Sequence, residues 1–158
     1  MGMTKIKITI NTKTYERQVE PNILLSEFIR ENIGLTGTHV GCDTSQCGAC
    51  VINLNGEIVK SCSILAVQAN ECTITTVEGL KKEDKNLHPM QTAFQENHGL
   101  QCGFCTPGIL LTAIDLVNRN PNPQESDIRN YLDGNLCRCT GYQNIVLSII
   151  EGAKAMRK

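Results

Sequence analysis

The chain of 158 residues has no tryptophan, and aromatic residues make up only 4% of it. A hydrophobic core must therefore be built almost entirely from aliphatic side chains. Basic runs are absent as well, and 15 Lys and Arg residues nearly balance 16 Asp and Glu residues. Because nucleic acids and anionic membrane surfaces are bound by clustered Lys and Arg, this charge pattern argues against both as partners.

A long hydrophobic run is also missing. The longest apolar stretch, residues 108–114, is far shorter than the roughly 20 residues that a membrane-spanning helix needs. Residues 1–7 contain two lysines and no apolar signal core. We therefore predict a cytoplasmic location without membrane insertion.

Cysteine, by contrast, is abundant. Nine cysteines in a reducing compartment favour metal binding over disulfide bonds. Eight of the nine fall into two sets of four. The first set is spaced C-x4-C-x2-C-x11-C and consists of Cys42, Cys47, Cys50 and Cys62. The second set is a C-x2-C pair followed by a C-x-C pair and consists of Cys102, Cys105, Cys137 and Cys139.

The first set has the spacing of a plant-type [2Fe–2S] cluster, with three clustered cysteines and a distant fourth. Gly41 and Gly48 give this loop the backbone freedom to wrap around a metal centre. Zinc and disulfides are the alternatives. Zinc is usually bound by two paired knuckles, whereas here two short spacings share Cys47 and the fourth ligand stands alone. The spacing therefore predicts a [2Fe–2S] cluster.

The second set is less specific by spacing alone. A C-x2-C pair with a C-x-C pair fits zinc, a disulfide oxidoreductase or an iron–sulfur cluster. Both pairs are predicted to lie at helix ends, where free N–H groups and the helix dipole stabilise thiolates. By spacing alone, an iron–sulfur cluster and a zinc site both remain possible at the second set.

Hydrophobic periodicity predicts an α+β first half, residues 1–79. Alternation at 5–10 and 14–19 indicates two paired strands, and helical spacing follows at 24–29. The segments 51–54 and 57–60 flank Asn55-Gly56, a strong hairpin signal, and 72–77 is predicted to be the last strand.

The second half, residues 87–158, is predicted to be helical and is preceded by a charged, solvated linker at 80–86. Helices are predicted at 87–97, 107–118 and 141–157. Another is predicted to begin at Pro123, with Asn122 as its N-cap.

The chain as a whole resembles the small iron–sulfur subunits of the molybdenum hydroxylases, the xanthine oxidase family. The segments that carry the resemblance are 41–50, 60–62, 99–108 and 134–142, in the family's order along nearly the whole chain. Within the family the chain is most similar to the small subunits of carbon monoxide dehydrogenase and aldehyde oxidoreductases, on residues 66–70 and 142–145.

The resemblance implies a plant-ferredoxin-like β-grasp domain followed by a four-helix bundle, each holding one [2Fe–2S] centre. It also implies a heterotrimer with a large subunit that binds a molybdopterin-type molybdenum cofactor and a medium subunit that binds FAD. Electrons would pass from molybdenum to the second set of cysteines, then to the first set and then to FAD. Gln101 and Cys139 would contact the pterin, and residues 43–46 would face the flavin subunit.

The expected function is therefore that of an electron-transfer subunit with no substrate chemistry of its own. Oxidation of an aldehyde to a carboxylic acid is the expected reaction of the complex. Carbon monoxide oxidation and N-heterocycle hydroxylation are the alternatives within the family. A free-standing ferredoxin and a zinc-stabilised interaction module are the alternatives outside it.

Overall fold

The computed structural model describes residues 2–81 and 86–157, so most of the predicted linker at 80–86 lies outside the described residues. Two hydrophobic cores are present, one formed by residues 6–74 and one by residues 90–153. Within the described parts of the chain no helix is long and apolar enough to cross a membrane.

A mixed sheet organises the first half. Its strands are β1 Thr4–Ile10, β2 Lys13–Val19, β3 Val51–Leu54, β4 Glu57–Lys60 and β5 Thr73–Thr75. They are arranged in the order β2-β1-β5-β3-β4, in which only β1 and β5 are parallel.

The alternating pattern of β1 is confirmed, because Ile6, Ile8 and Ile10 are all buried on one face of the sheet. The predicted hairpin is confirmed too. Asn55 and Gly56 both have positive φ angles, 52° and 93°, which is the conformation that a tight two-residue turn between antiparallel strands requires.

A short helix covers the sheet. Helix α1, Leu25–Glu27, continues directly into a wider turn at Phe28–Asn32, where Ile33 N–H donates to the Phe28 carbonyl at 3.1 Å. This bond spans five residues instead of four, so the helical pattern predicted at 24–29 is only partly regular α-helix. The predicted strand at 72–77 is shorter than expected, because Val77–Leu80 already forms a 3-10 turn.

Four helices surround the second core. They are α2 Pro89–Glu96, α3 Thr106–Arg119, α4 Glu125–Tyr131 and α5 Gln143–Met156. The predicted start of α4 at Pro123, capped by Asn122, is wrong. Gln124 is the N-cap instead, and its N–H donates to the Asp127 carboxylate at 2.9 Å, which fixes the first turn two residues later.

Helix α3 joins the two halves, because it packs on β3 and β4 as well as on the second core. The closest approach is at Gly108, where a Cβ would lie only 2.1 Å from the carbonyl oxygen of Gly48. At the other end of α3, Arg119 forms ion pairs with Asp115 at 2.9 Å and with Glu57 at 2.8 Å. Backbone packing and charge therefore both attach α3 to the sheet.

Replacing Gly108 by alanine tests this packing, because helix propensity predicts that the chain becomes more stable and packing predicts that it becomes less stable. Alanine usually stabilises a helix interior by roughly 0.5–1 kcal/mol over glycine. We expect Gly108→Ala instead to destabilise the cluster-loaded chain by about 1–3 kcal/mol, since the methyl group meets rigid backbone. Urea unfolding followed by circular dichroism measures the change.

Gly152→Ala is the matched control, because its methyl group meets the sulfur of the flexible Met90 side chain at 2.4 Å. Gly152→Ala should destabilise the chain less than Gly108→Ala does. A Gly108→Ala chain as stable as the parent would show that the contact with Gly48 is not tight.

Candidate iron–sulfur centres

The first set of cysteines is assembled by the β3–β4 hairpin. Cys50 directly precedes β3, and Cys62 lies in the turn that directly follows β4. Because the hairpin returns the chain to its starting point, Ser61 donates two hydrogen bonds to the Cys50 carbonyl, 3.2 Å from its N–H nitrogen and 2.7 Å from its hydroxyl oxygen. The distant fourth cysteine is thereby brought beside the other three.

Within this set the thiols meet in pairs. The side chains of Cys42 and Cys47 are hydrogen-bonded to each other, and Cys47 N–H also donates to Cys42 Sγ at 3.4 Å. The side chains of Cys50 and Cys62 form the other pair.

The two pairs differ in electrostatic environment. Backbone N–H groups, first that of Cys47 and then those of Thr44 and Gln46, lower the pKa of Cys42 to about 6. Burial raises the pKa of Cys50 to about 11. Before a metal binds, the Cys42 thiol therefore ionises more readily than the Cys50 thiol.

Two glycines shape this loop for different reasons. Gly48 has a φ angle of +74°, which L side chains rarely adopt, so the predicted need for backbone freedom holds there. Gly41 is required by space. A Cβ at Gly41 would lie 2.9 Å from the Phe104 ring and 3.3 Å from Cys47 Sγ.

Lys60, the last residue of β4, holds the loop from the other side. Its ammonium group donates to the carbonyls of Ser45 at 2.9 Å and Gln46 at 3.1 Å. This role is not predictable from the sequence, since a lysine in an alternating strand carries no signal of its partner.

The second set also meets in pairs. Cys102 Sγ and Cys139 Sγ are 3.5 Å apart, and the thiols of Cys105 and Cys137 are hydrogen-bonded. Cys105 is the N-cap of α3, and the C-x-C pair lies in the loop before α5. The prediction that both pairs lie at helix ends is therefore confirmed for Cys105, whereas Cys102 lies in the loop before α3 and the C-x-C pair lies in a loop.

Here too the cysteines differ in electrostatic environment. Burial raises the pKa of Cys105 to about 12, while the backbone N–H of Phe104 lowers the pKa of Cys102. For Cys137, burial acts upward but is outweighed by hydrogen bonds from the Thr140 hydroxyl and nearby N–H groups, so its pKa is lowered. The hydrogen bond with Cys102 raises the pKa of Cys139.

The loops of the two sets touch each other. Leu136 N–H donates to the Cys47 carbonyl at 2.9 Å. His39 Nδ1 donates to the Phe104 carbonyl at 2.8 Å, and the two rings stack with centroids 4.7 Å apart. Cys47 of the first set is thus one hydrogen bond from Leu136, the residue that precedes Cys137 of the second set.

The surface next to the second set is open and partly apolar. Gln101, Cys102 and Cys139 are exposed, as are Phe104 and Leu136, with relative residue exposures of 47% and 60%. The two residues predicted to contact the pterin are therefore accessible.

The donor set fits a two-iron cluster. All nine cysteines are free thiols. Two thiolates bound to one tetrahedral metal with bonds of about 2.3 Å lie about 3.8 Å apart, close to the 3.5 Å between Cys102 and Cys139. Four thiolates that interact in two pairs match two irons. Within residues 2–81 and 86–157, no three potential ligands converge on a single point.

One polar atom at the second set has no acceptor within the described chain. The Thr106 hydroxyl, directly after Cys105 at the start of α3, is buried and lacks a hydrogen-bond partner there. Cluster sulfur would supply an acceptor to such a group, and an unsatisfied buried hydroxyl otherwise costs about 1–3 kcal/mol.

Comparison with known protein families agrees with two iron–sulfur centres. A family model described as a 2Fe-2S iron–sulfur cluster binding domain matches residues 8–85, and one described as a [2Fe-2S] binding domain matches residues 76–150. The chain is therefore a protein with two [2Fe–2S]-binding domains.

Individual relatives are subunits or structures of oxidoreductases. The chain is 48% identical over 152 residues to caffeine dehydrogenase subunit gamma of Pseudomonas sp. strain CBB1, covering 94% of this chain and 90% of that one. It is 38% identical to the aldehyde oxidoreductase iron-sulfur-binding subunit PaoA of Escherichia coli K12, covering 94% and 71%. The crystal structure of quinoline 2-oxidoreductase from Pseudomonas putida 86 aligns with a TM-score of 0.95 and 44% identity, covering 99% of this chain and 98% of that one.

The chain belongs to the small iron–sulfur subunits of the xanthine oxidase family. The resemblance seen in the sequence is confirmed, and so is the role as an iron–sulfur subunit of an oxidoreductase.

The contacts of Lys60 generate a prediction for the first centre. Lys60→Gln should weaken the loop that carries Cys47, because two charge-assisted hydrogen bonds are lost, at a cost of about 1–2 kcal/mol. We expect a chelator to bleach the first centre several times faster than in the parent, with the second centre unchanged. Electron paramagnetic resonance (EPR) of the two centres over time measures this.

Lys154→Gln is the control, because Lys154 forms an ion pair with Glu151 on the surface of α5. Equal bleaching rates in the two variants would show that Lys60 does not secure the loop.

Proposed function

We propose that the chain carries electrons between two partner subunits, with one [2Fe–2S] centre in each half. The first centre is held by the set Cys42, Cys47, Cys50 and Cys62. The second is held by the set Cys102, Cys105, Cys137 and Cys139. The observation that carries this proposal is the pairwise meeting of the thiols within both sets. A [2Fe–2S] group supplies reversible one-electron chemistry when bound.

Each contacting pair is proposed to share one iron. The pairs are Cys42 with Cys47, Cys50 with Cys62, Cys102 with Cys139, and Cys105 with Cys137. Each set contains a thiol whose pKa is lowered by backbone N–H groups, so the protein offsets part of the negative charge before any metal binds.

The domain arrangement implied by the family is part of the proposal. Residues 1–79 form the ferredoxin-like β-grasp domain, 80–86 the linker, and 87–158 the four-helix bundle. The mixed sheet covered by α1, and the four helices α2 to α5 around one core, support it.

Two partner subunits are proposed, a large one with the molybdopterin cofactor and a medium one with FAD. Gln101 and Cys139 contact the pterin, and residues 43–46 face the flavin subunit. The exposure of Gln101, Cys139 and the neighbouring Phe104 supports the first contact, and the exposure of Asp43 supports the second. Electrons then pass from the second set to the first, across the Leu136–Cys47 hydrogen bond.

The substrate is bound elsewhere in the complex, and the relatives favour an N-heterocycle. The relatives named for caffeine and quinoline are 48% and 44% identical to this chain, whereas the aldehyde oxidoreductase subunit is 38% identical. Aldehyde oxidation is the second candidate. A panel of N-heterocycles and aldehydes, tested for bleaching of the iron–sulfur absorbance in the purified complex, separates the two.

Metal analysis is the primary test of the two centres. We expect about four iron and four acid-labile sulfide per chain, because each centre contains two of each. Colorimetric iron and sulfide assays on freshly purified protein measure this. One or two zinc ions with no sulfide would contradict the cluster assignment and favour the zinc-stabilised module.

The order of electron flow is tested at Cys139, the proposed ligand next to the pterin. Cys139→Ser should damage the EPR signal of the second centre. It should also slow the reduction of the first centre by substrate at least tenfold, because electrons reach the first centre through the second. Rapid-freeze EPR of the complex measures both.

Cys72→Ser is the matched control, because Cys72 lies outside both sets and packs against the first core. Reduction of the first centre at the parent rate in Cys139→Ser would contradict the proposed order of electron transfer.

A further inference from the structure

Thr140 lies between the C-x-C pair and helix α5, next to a proposed ligand. Its hydroxyl oxygen is 3.3 Å from Cys137 Sγ. The same oxygen accepts a hydrogen bond from Tyr142 N–H at 3.1 Å. The Thr140 side chain thus contacts both a proposed ligand and the start of α5.

The direction of the bond to sulfur follows from valence. A hydroxyl has one hydrogen and two lone pairs, and a backbone N–H only donates. Tyr142 N–H therefore occupies a lone pair of Thr140 and leaves its hydrogen free. A thiolate bound to metal only accepts, so this hydrogen is directed at Cys137 Sγ.

Tyr142 fixes this arrangement from its other end. Its hydroxyl accepts from Cys137 N–H at 2.9 Å and donates to the Asn135 carbonyl at 2.9 Å. Its backbone has a φ angle of +67°, an uncommon conformation for a tyrosine, and its N–H donates to the Thr140 hydroxyl. Both ends of Tyr142 therefore hold the loop in the geometry that aims Thr140 at the sulfur.

We infer that Thr140 is a positioning residue that raises the reduction potential of the second centre through Cys137. Reduction adds negative charge to a cluster and its thiolates, so a hydrogen bond to a ligand sulfur stabilises the reduced state more than the oxidised state. The inference rests on the proposed function, since it requires a cluster at this set.

The first centre offers a matched comparison at Ser45. Its hydroxyl oxygen is 3.6 Å from Cys62 Sγ, a longer contact on the other cluster. A substitution at Ser45 removes a hydroxyl near the first centre. It therefore shows whether loss of any such hydroxyl changes the potential of the second centre.

The test is a redox titration of the purified holo-complex, followed by EPR of both centres. In Thr140→Val we expect the equilibrium constant for one-electron reduction of the second centre to fall about threefold to tenfold, a potential about 28 to 59 mV more negative. Thr140→Ser should keep the parent potential, because it retains the hydroxyl. Ser45→Ala should leave the second centre unchanged.

The outcomes separate this inference from the proposed function. Full iron and sulfide with an unchanged potential in Thr140→Val would overturn the role of Thr140 alone. Absence of the clusters from the parent protein would overturn the proposed function. If Thr140→Val fails to load the second centre, Thr140→Ala replaces it. Loss of the centre in both, with Thr140→Ser loaded, would show a purely structural role and overturn the inference.

Discussion

The backbone contact between Gly48 and Gly108 is the constraint on which the rest of the structure depends. It brings the start of α3, and therefore Cys105, against the loop that carries Cys47. No side chain fits between these two backbones. The distance between the two proposed centres is set by covalent geometry and close packing, which vary little with temperature or solvent. Such a fixed distance suits a chain that relays electrons.

Both sets of cysteines contain a thiol with a lowered pKa and another with a raised pKa. Each set combines a thiol next to backbone donors, Cys42 or Cys102, with a thiol whose pKa is raised by burial, Cys50 or Cys105. The thiols next to backbone donors favour the ionised form before a metal arrives. The thiols with raised pKa values release a proton when they bind a metal, so metal affinity falls as the pH is lowered.

The sequence predicted what depends on local spacing and missed what depends on side-chain partners. The hairpin at 51–60 was predictable because its turn residues are specific to that conformation, and it explains why a distant Cys62 returns to its set. The pairing of the thiols, the role of Lys60 and the contacts of Thr140 were not predictable. Each depends on where a loop lies after folding, and residue type alone does not encode that position.

The exposure of the second set bears on the choice between a subunit and a free-standing ferredoxin. Cys102 and Cys139 are both exposed, and the apolar Phe104 and Leu136 lie on segments beside them. An independent carrier is better served by shielded ligands, because water raises the polarity around a cluster and opens a route for its loss. Exposed ligands beside apolar side chains are instead suited to being covered by a partner. The proposed contact of Gln101 and Cys139 with a pterin would cover this surface and exclude water from the centre that receives electrons first.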